Sequence, residues 1–173
     1  MISLRHFIIL LAFGFLAIFV QGTLLKFISP SMIAPNFMII LVVFLGFSRV
    51  STHGVFLSFL LGLQLDLYSA HLLGPWAGAF VVCFGVIATM SQQIFVESPI
   101  AIVMAVVLST ILANLVYIGL IYEFNPGDGI SILRLVGETV ITAIVSPIIF
   151  LVLKKLLPAD DKSRGGSLSS GRV

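Results

Sequence analysis

The chain has 173 residues, of which 60% are hydrophobic and 9% charged, with a mean hydropathy of +1.23. Soluble domains are about 25% charged and about 45–50% apolar, so the composition excludes an ordinary soluble enzyme and a disordered chain and reads as an integral membrane protein. A net charge of +2 is too small for a nucleic-acid footprint, and the lone Cys83 excludes an intramolecular disulfide and any multi-cysteine metal site.

A spanning helix needs roughly 20 mostly apolar residues to cross about 30 Å of hydrocarbon. The punctuation predicts six spans in an all-α fold: Phe7–Leu25, Ser31–Phe47, Gly54–Tyr68, Pro75–Ile94, Pro99–Tyr122 and Ile132–Leu153. Arg5 ahead of the first gives it the look of a secretory leader. The apolar stretch is too long for one, however, and no A-x-A-like cleavage site follows, so a retained helix is expected. The second and third spans are short. Fusing them would bury Arg49 and His53, and a mid-bilayer Arg costs ~2.5–3.5 kcal/mol even on the gentlest scale. The segment FSRVSTHG between them is therefore expected to turn.

Residues 1–158 form one transmembrane domain in this reading. The Gly- and Ser-rich residues 159–173 form a flexible polar cytoplasmic tail. With both termini in the cytoplasm, Arg5, Arg49, Lys154, Lys155, Lys162, Arg164 and Arg172 lie inside, while only Lys26 and Arg134 lie outside. That distribution satisfies the positive-inside rule. No repeat of fixed period argues for an inverted-repeat transporter.

Asp66 (GLQLDLYS) reads as the only acidic residue well within a helical stretch. Intramembrane carboxylates face protein or water. Pro35, Asn36, Lys26 and Arg134 fall at the same level, so the expectation is an Asp66 ion-paired to Lys26 or Arg134 and hydrogen-bonded by Asn36. A headgroup-wetted carboxylate, a structural pair or cap, and a substrate or proton-transfer role all remain open for it.

Gly46-Phe47-Ser48 resembles a G-x-S nucleophile element with His53 nearby, but a short turn supplies no scaffold to orient a base or an oxyanion hole. His6, His53 and His71 have no carboxylate at metal spacing, and Asp160 and Asp161 lie in the tail, where nothing separates their pKa values for acid–base work. No metal, cofactor or catalytic group is expected. Gly54, Gly62, Gly74, Gly78 and Gly85 predict close helix packing, with Gln64 and Asn114 as polar glue between helices. Lys154 and Lys155 read first as a positive-inside anchor, and also as a contact for anionic lipid or an acidic partner.

From Ala34 to Gly74 the chain reads APNFMIILVVFLGF and then GVFLSFLLGLQLDLYSAHLLG. Pro35-Asn36 opening an apolar run, and Gly62-x-x-x-Asp66-Leu67-x-Ser69 followed by Leu73-Gly74, resemble the rod shape-determining protein MreD family of bacterial inner membranes. Ser146-Pro147 before a last apolar run ending in Lys154-Lys155 is similar to that family's close. Family members often carry a Gly where this chain has Ala70. The resemblance implies a non-catalytic scaffold of the machinery that inserts side-wall peptidoglycan. The implied partners are a bitopic MreC-like protein, the actin-like MreB filament, a RodA-type glycosyltransferase and a class B penicillin-binding transpeptidase, together with membrane lipid and no nucleic acid. It also implies a fold similar to the substrate-capture subunits of energy-coupling-factor transporters, which makes capture of a vitamin-like or lipidic molecule the competing function. Pro35, Asn36, Gly62, Asp66, Ser69 and Gly74 are the candidate structural or partner-interface residues.

Overall fold

The computed structural model describes residues 4–25, 34–48, 52–69, 73–91, 98–122 and 132–157. Within them the chain is all-helical. Helix α1 (Leu4–Phe19) runs into a π-helical turn at Val20–Leu25, and α2 (Phe37–Ser48), α3 (Thr52–Ser69), α4 (Pro75–Met90), α5 (Pro99–Tyr122) and α6 (Ile132–Leu156) follow. Six helices stand where six apolar segments are expected, with shifted ends.

The second helix starts at Phe37, six residues later than expected, because Pro35 disfavours helical backbone in the residue before it and Asn36 caps the first turn. Ser48 closes α2, and His53 sits in the first turn of α3 rather than in a turn between helices. Arg49 and the tail at 159–173 lie outside the described residues. The fourth helix ends at Met90, where Ser91 Oγ donates to the Ala88 carbonyl, and the sixth continues to Leu156.

Helix α2 is the centre of the fold. Its residues Met38 to Val43 are fully buried, and it packs against each of the other five helices. Those wrap it in an arc in which α1 meets α3, α3 meets α4, α4 meets α5 and α5 meets α6. A helix that is apolar all round belongs inside such a shell.

Successive helices alternate in direction. At one end Trp76 of α4 stacks on Tyr117 of α5, and the Asn36 start of α2 meets Glu138 of α6. At the other end Phe7 of α1 stacks on Phe56 of α3, while Phe47 of α2 packs edge-on against Phe150 of α6.

The longest helices bury Ile102, Val106, Phe150 and Leu153 but turn many of their large side chains outward. On α5, Ile100, Met104, Leu108, Ile111 and Leu115 are exposed, while Ala105, Ser109, Thr110, Ala113 and Asn114 are buried. On α6, Leu133, Val136, Val140, Ile144 and Ile148 are exposed, whereas Thr142, Ala143 and Ser146 are buried. Small and polar inside with bulky and apolar outside suits a helix whose surroundings are themselves apolar. Most of the buried hydroxyls are satisfied within their own helices, as Ser58 Oγ donates to the Gly54 carbonyl at 2.9 Å and Thr110 Oγ1 to the Val106 carbonyl at 2.8 Å, whereas Ser109 Oγ has no hydrogen-bond partner. Pro99–Ile121 and Leu133–Leu156 are long and apolar enough to cross a membrane, whereas Phe7–Thr23, Phe37–Phe47 and Pro75–Met90 are apolar but shorter.

Candidate functional site

Asp66 sits one turn from the end of α3 and is only 1% exposed. The first backbone N–H groups of a helix have no partner inside it, and α4 begins directly opposite. Asp66 Oδ2 accepts from Gly74 N at 3.0 Å and from Ala77 N at 3.1 Å, and Oδ1 accepts from Trp76 N at 3.0 Å. The intervening residue is Pro75, which has no N–H to donate and a backbone angle suited to the first helical position. A carboxylate at a helix N-terminus is further favoured by the helix dipole. Asp66 thus caps a helix to which it does not belong.

The neighbouring motif residues make that cap possible. Gly62, one turn before Asp66, is where α3 touches α4 backbone to backbone. A Cβ at Gly62 would sit against the Ala77 backbone and 2.6 Å from the Trp76 carbonyl oxygen. Gly74 occupies the N-cap position with φ 121°, a conformation open to glycine and strained for other residues. At the end of α3, Ser69 Oγ donates to the Asp66 carbonyl at 3.1 Å.

A second polar tie holds the start of α2. Asn36 Oδ1 accepts from Ile39 N at 3.3 Å, the N-cap bond of α2. Asn36 Nδ2 donates to Glu138 Oε1 at 3.0 Å, and Asn36 N donates to Thr142 Oγ1 at 2.9 Å. Thr142 Oγ1 in turn donates to the Glu138 carbonyl at 2.6 Å, so the Glu138–Thr142 pair presents one face, a turn apart, to Asn36. Gln21 Nε2, in the π-helical turn of α1, donates to the Pro35 carbonyl. This tie joins α1, α2 and α6.

The arrangement corrects the expected cluster. Asn36 turns to Glu138 and Thr142 rather than to Asp66. Asp66 is held by backbone N–H groups, and Arg134 lies exposed in the first turn of α6. Lys26 falls outside the described residues. Nor is Asp66 the only acidic residue well inside a helix, since Glu138 lies in the second turn of α6 and is half-buried. Sequence reasoning missed Glu138, Thr142 and Gln21. The signal available for the first two was their four-residue spacing, which puts a carboxylate and a hydroxyl on one helical face.

Of the other candidates, Gln64 is 8% exposed and faces Gly14 of α1, but its Oε1 finds no hydrogen-bond partner, so it does not glue helices through that atom. Gly85 meets nothing within 4 Å where a Cβ would stand and takes no part in close packing, while at Gly54 that position falls against the Phe84 ring. Lys154 and Lys155 are exposed in the last turn of α6, at the end opposite Asp66. Among the described residues no group of three or more His, Cys, Asp or Glu side chains is placed to hold a metal ion. Compared with protein-family models, curated proteins and solved structures, the chain gives no match.

Proposed function

We propose that the chain is a six-span, non-catalytic component of the bacterial inner membrane that scaffolds side-wall peptidoglycan synthesis, as its resemblance to the MreD family implies. Both termini lie in the cytoplasm, with Asp66 towards the periplasmic face and Lys154 and Lys155 at the cytoplasmic one. The membrane placement is supported by the outward apolar stripes of α5 and α6 and by the alternating directions of the six helices. Exposed stripes of that extent are unfavourable in water and ordinary against lipid.

The observation that carries the scaffold reading is the use to which the motif residues are put. Asp66 is the residue most open to a chemical role, yet both its oxygens are taken by three backbone N–H groups. Gly62 and Gly74 serve the same helix start, and Asn36 serves another. A motif devoted to fixing helix ends gives a rigid body that offers its outer faces and rims to partners. An MreC-like protein, MreB, a RodA-type glycosyltransferase and a class B transpeptidase are the partners the resemblance implies.

Affinity purification in gentle detergent from native membranes, with mass spectrometry of the co-purifying proteins, tests this function. Recovery of a bitopic MreC-like protein with wall polymerases is the expected result. Recovery of a transmembrane coupling subunit with paired ATPases would overturn it in favour of a capture subunit for a vitamin-like molecule.

A further inference from the structure

Helix α6 contains Pro147 within its length. Proline has no N–H for the carbonyl one turn back, and its ring crowds that carbonyl. Ser146 answers this locally, donating its Oγ to the Ala143 carbonyl at 2.8 Å, so the freed acceptor stays satisfied inside the protein. Pro99 opens α5, the neighbouring helix, at the same end of the bundle. Two prolines, poor at filling the seam between helices, leave a groove of about 110 Å³ there, lined by Pro99, Ile102, Pro147, Phe150, Leu151 and Lys154.

The groove has a distinct floor and rim. Ile102 and Phe150 are buried beneath it at 6% and 1% exposure, while Pro99, Leu151 and Lys154 stand exposed around it. Its walls are hydrocarbon and the one charge among its lining residues is positive. The rim also carries the N-terminus of α5, and the first N–H groups and the dipole of a helix favour an anion. An occupant must therefore be apolar along its length and negative at its head.

We propose that this groove binds an anionic phospholipid, with a segment of acyl chain over Ile102 and Phe150 and the phosphate at Lys154. The inference rests on the membrane placement proposed above, which sets Lys154 at a headgroup level. It assigns different roles to adjacent charges: Lys154 lines the groove and Lys155 does not.

The test is native mass spectrometry of the full chain in detergent, titrated with phosphatidylglycerol, phosphatidylcholine or inorganic phosphate, for the wild type, Lys154→Gln and Lys155→Gln. The expected result is preferential retention of phosphatidylglycerol, about fivefold weaker in Lys154→Gln and within twofold of wild type in Lys155→Gln, with no displacement by inorganic phosphate. Equal retention of the two lipids, or equal losses in the two lysine variants, overturns the site. Displacement of the lipid by inorganic phosphate overturns it too, since it makes the ligand a free anion. Reconstitution into phosphatidylcholine vesicles separates the underlying reading. A chain that inserts there but shows no lipid preference loses only the groove, and one that does not insert loses its membrane placement as well.

Discussion

The two ends of the bundle are held by different physics. At the end carrying Asp66 and Asn36, helix starts are secured by directed bonds, with a carboxylate over three N–H groups and a carboxamide joining α2 to α6. At the other end the joints are mainly apolar, with a single hydroxyl bond from Ser91 Oγ to the Gly46 carbonyl at 3.1 Å among the described residues. Phe47 packs edge-on against Phe150 at 6.1 Å between ring centres, Phe7 stacks on Phe56, and a Cβ at Gly46 would fall 2.6 Å from the Ile87 side chain. Dispersion contacts tolerate small adjustments, whereas a buried donor without its acceptor costs about 1–3 kcal/mol whatever the surroundings do. The first end should therefore fail abruptly under substitution and the second gradually.

The sharpest way to break the contrast is Asp66→Ala. It removes the acceptor for three backbone donors and should cost on the order of 3 kcal/mol or more, seen as a large drop in the thermal midpoint in detergent. A drop no greater than that of a packing variant at the opposite end would erase the distinction. Gly62→Ala comes next, because its methyl meets α4 backbone that cannot step aside; overpacking of this kind costs about 1–3 kcal/mol. Gly85→Ala, on the same measurement, should leave the midpoint unchanged or raise it slightly, since open space lies where its methyl goes.

Asn36→Ala loses both an N-cap and the tie to Glu138. About 1–2 kcal/mol is expected, and hydrogen exchange should show the first turn of α2 deprotected before the rest of that helix. Among the variants that should lose stability, the smallest loss is expected at the apolar end. Phe47→Leu keeps most of the buried bulk and gives up an edge-to-face contact worth about 0.5–1.5 kcal/mol. Chemical denaturation should register it without any change in the exchange pattern around Asp66.

How legible each end was in the sequence follows from the same difference. One acid in an apolar run marks itself, so Asp66 stood out, and a structural cap was among its possible roles. What it caps is a matter of where α4 starts in space. Gly74-Pro75 announces a helix start, but nothing local says that the acceptor arrives from the helix before. The expected bond from Asn36 to Asp66 put two polar residues together because they share a level. The fold instead places α2 at the centre, where Asn36 faces α6. That central position was hidden by composition itself, because FMIILVVFLGF is equally suited to a lipid-exposed helix and to one enclosed by others. Glu138 lies between Gly137 and Thr139 near the start of a long apolar stretch, where it reads as a terminal charge.

The two polar ties also differ in when the chain can make them. Asp66 is synthesised before the N–H groups it receives, and only 8 to 11 residues separate the partners. The acceptor is therefore waiting as α4 emerges, and α3 and α4 can assemble as a hairpin while the rest of the protein is still being made. Asn36 must wait for partners 102 and 106 residues further on. The innermost helix is thus the second to be made, with Gln21 and Ser91 available early to the Pro35 and Gly46 carbonyls, but a nascent chain halted before α6 would hold its core helix without its final clasp.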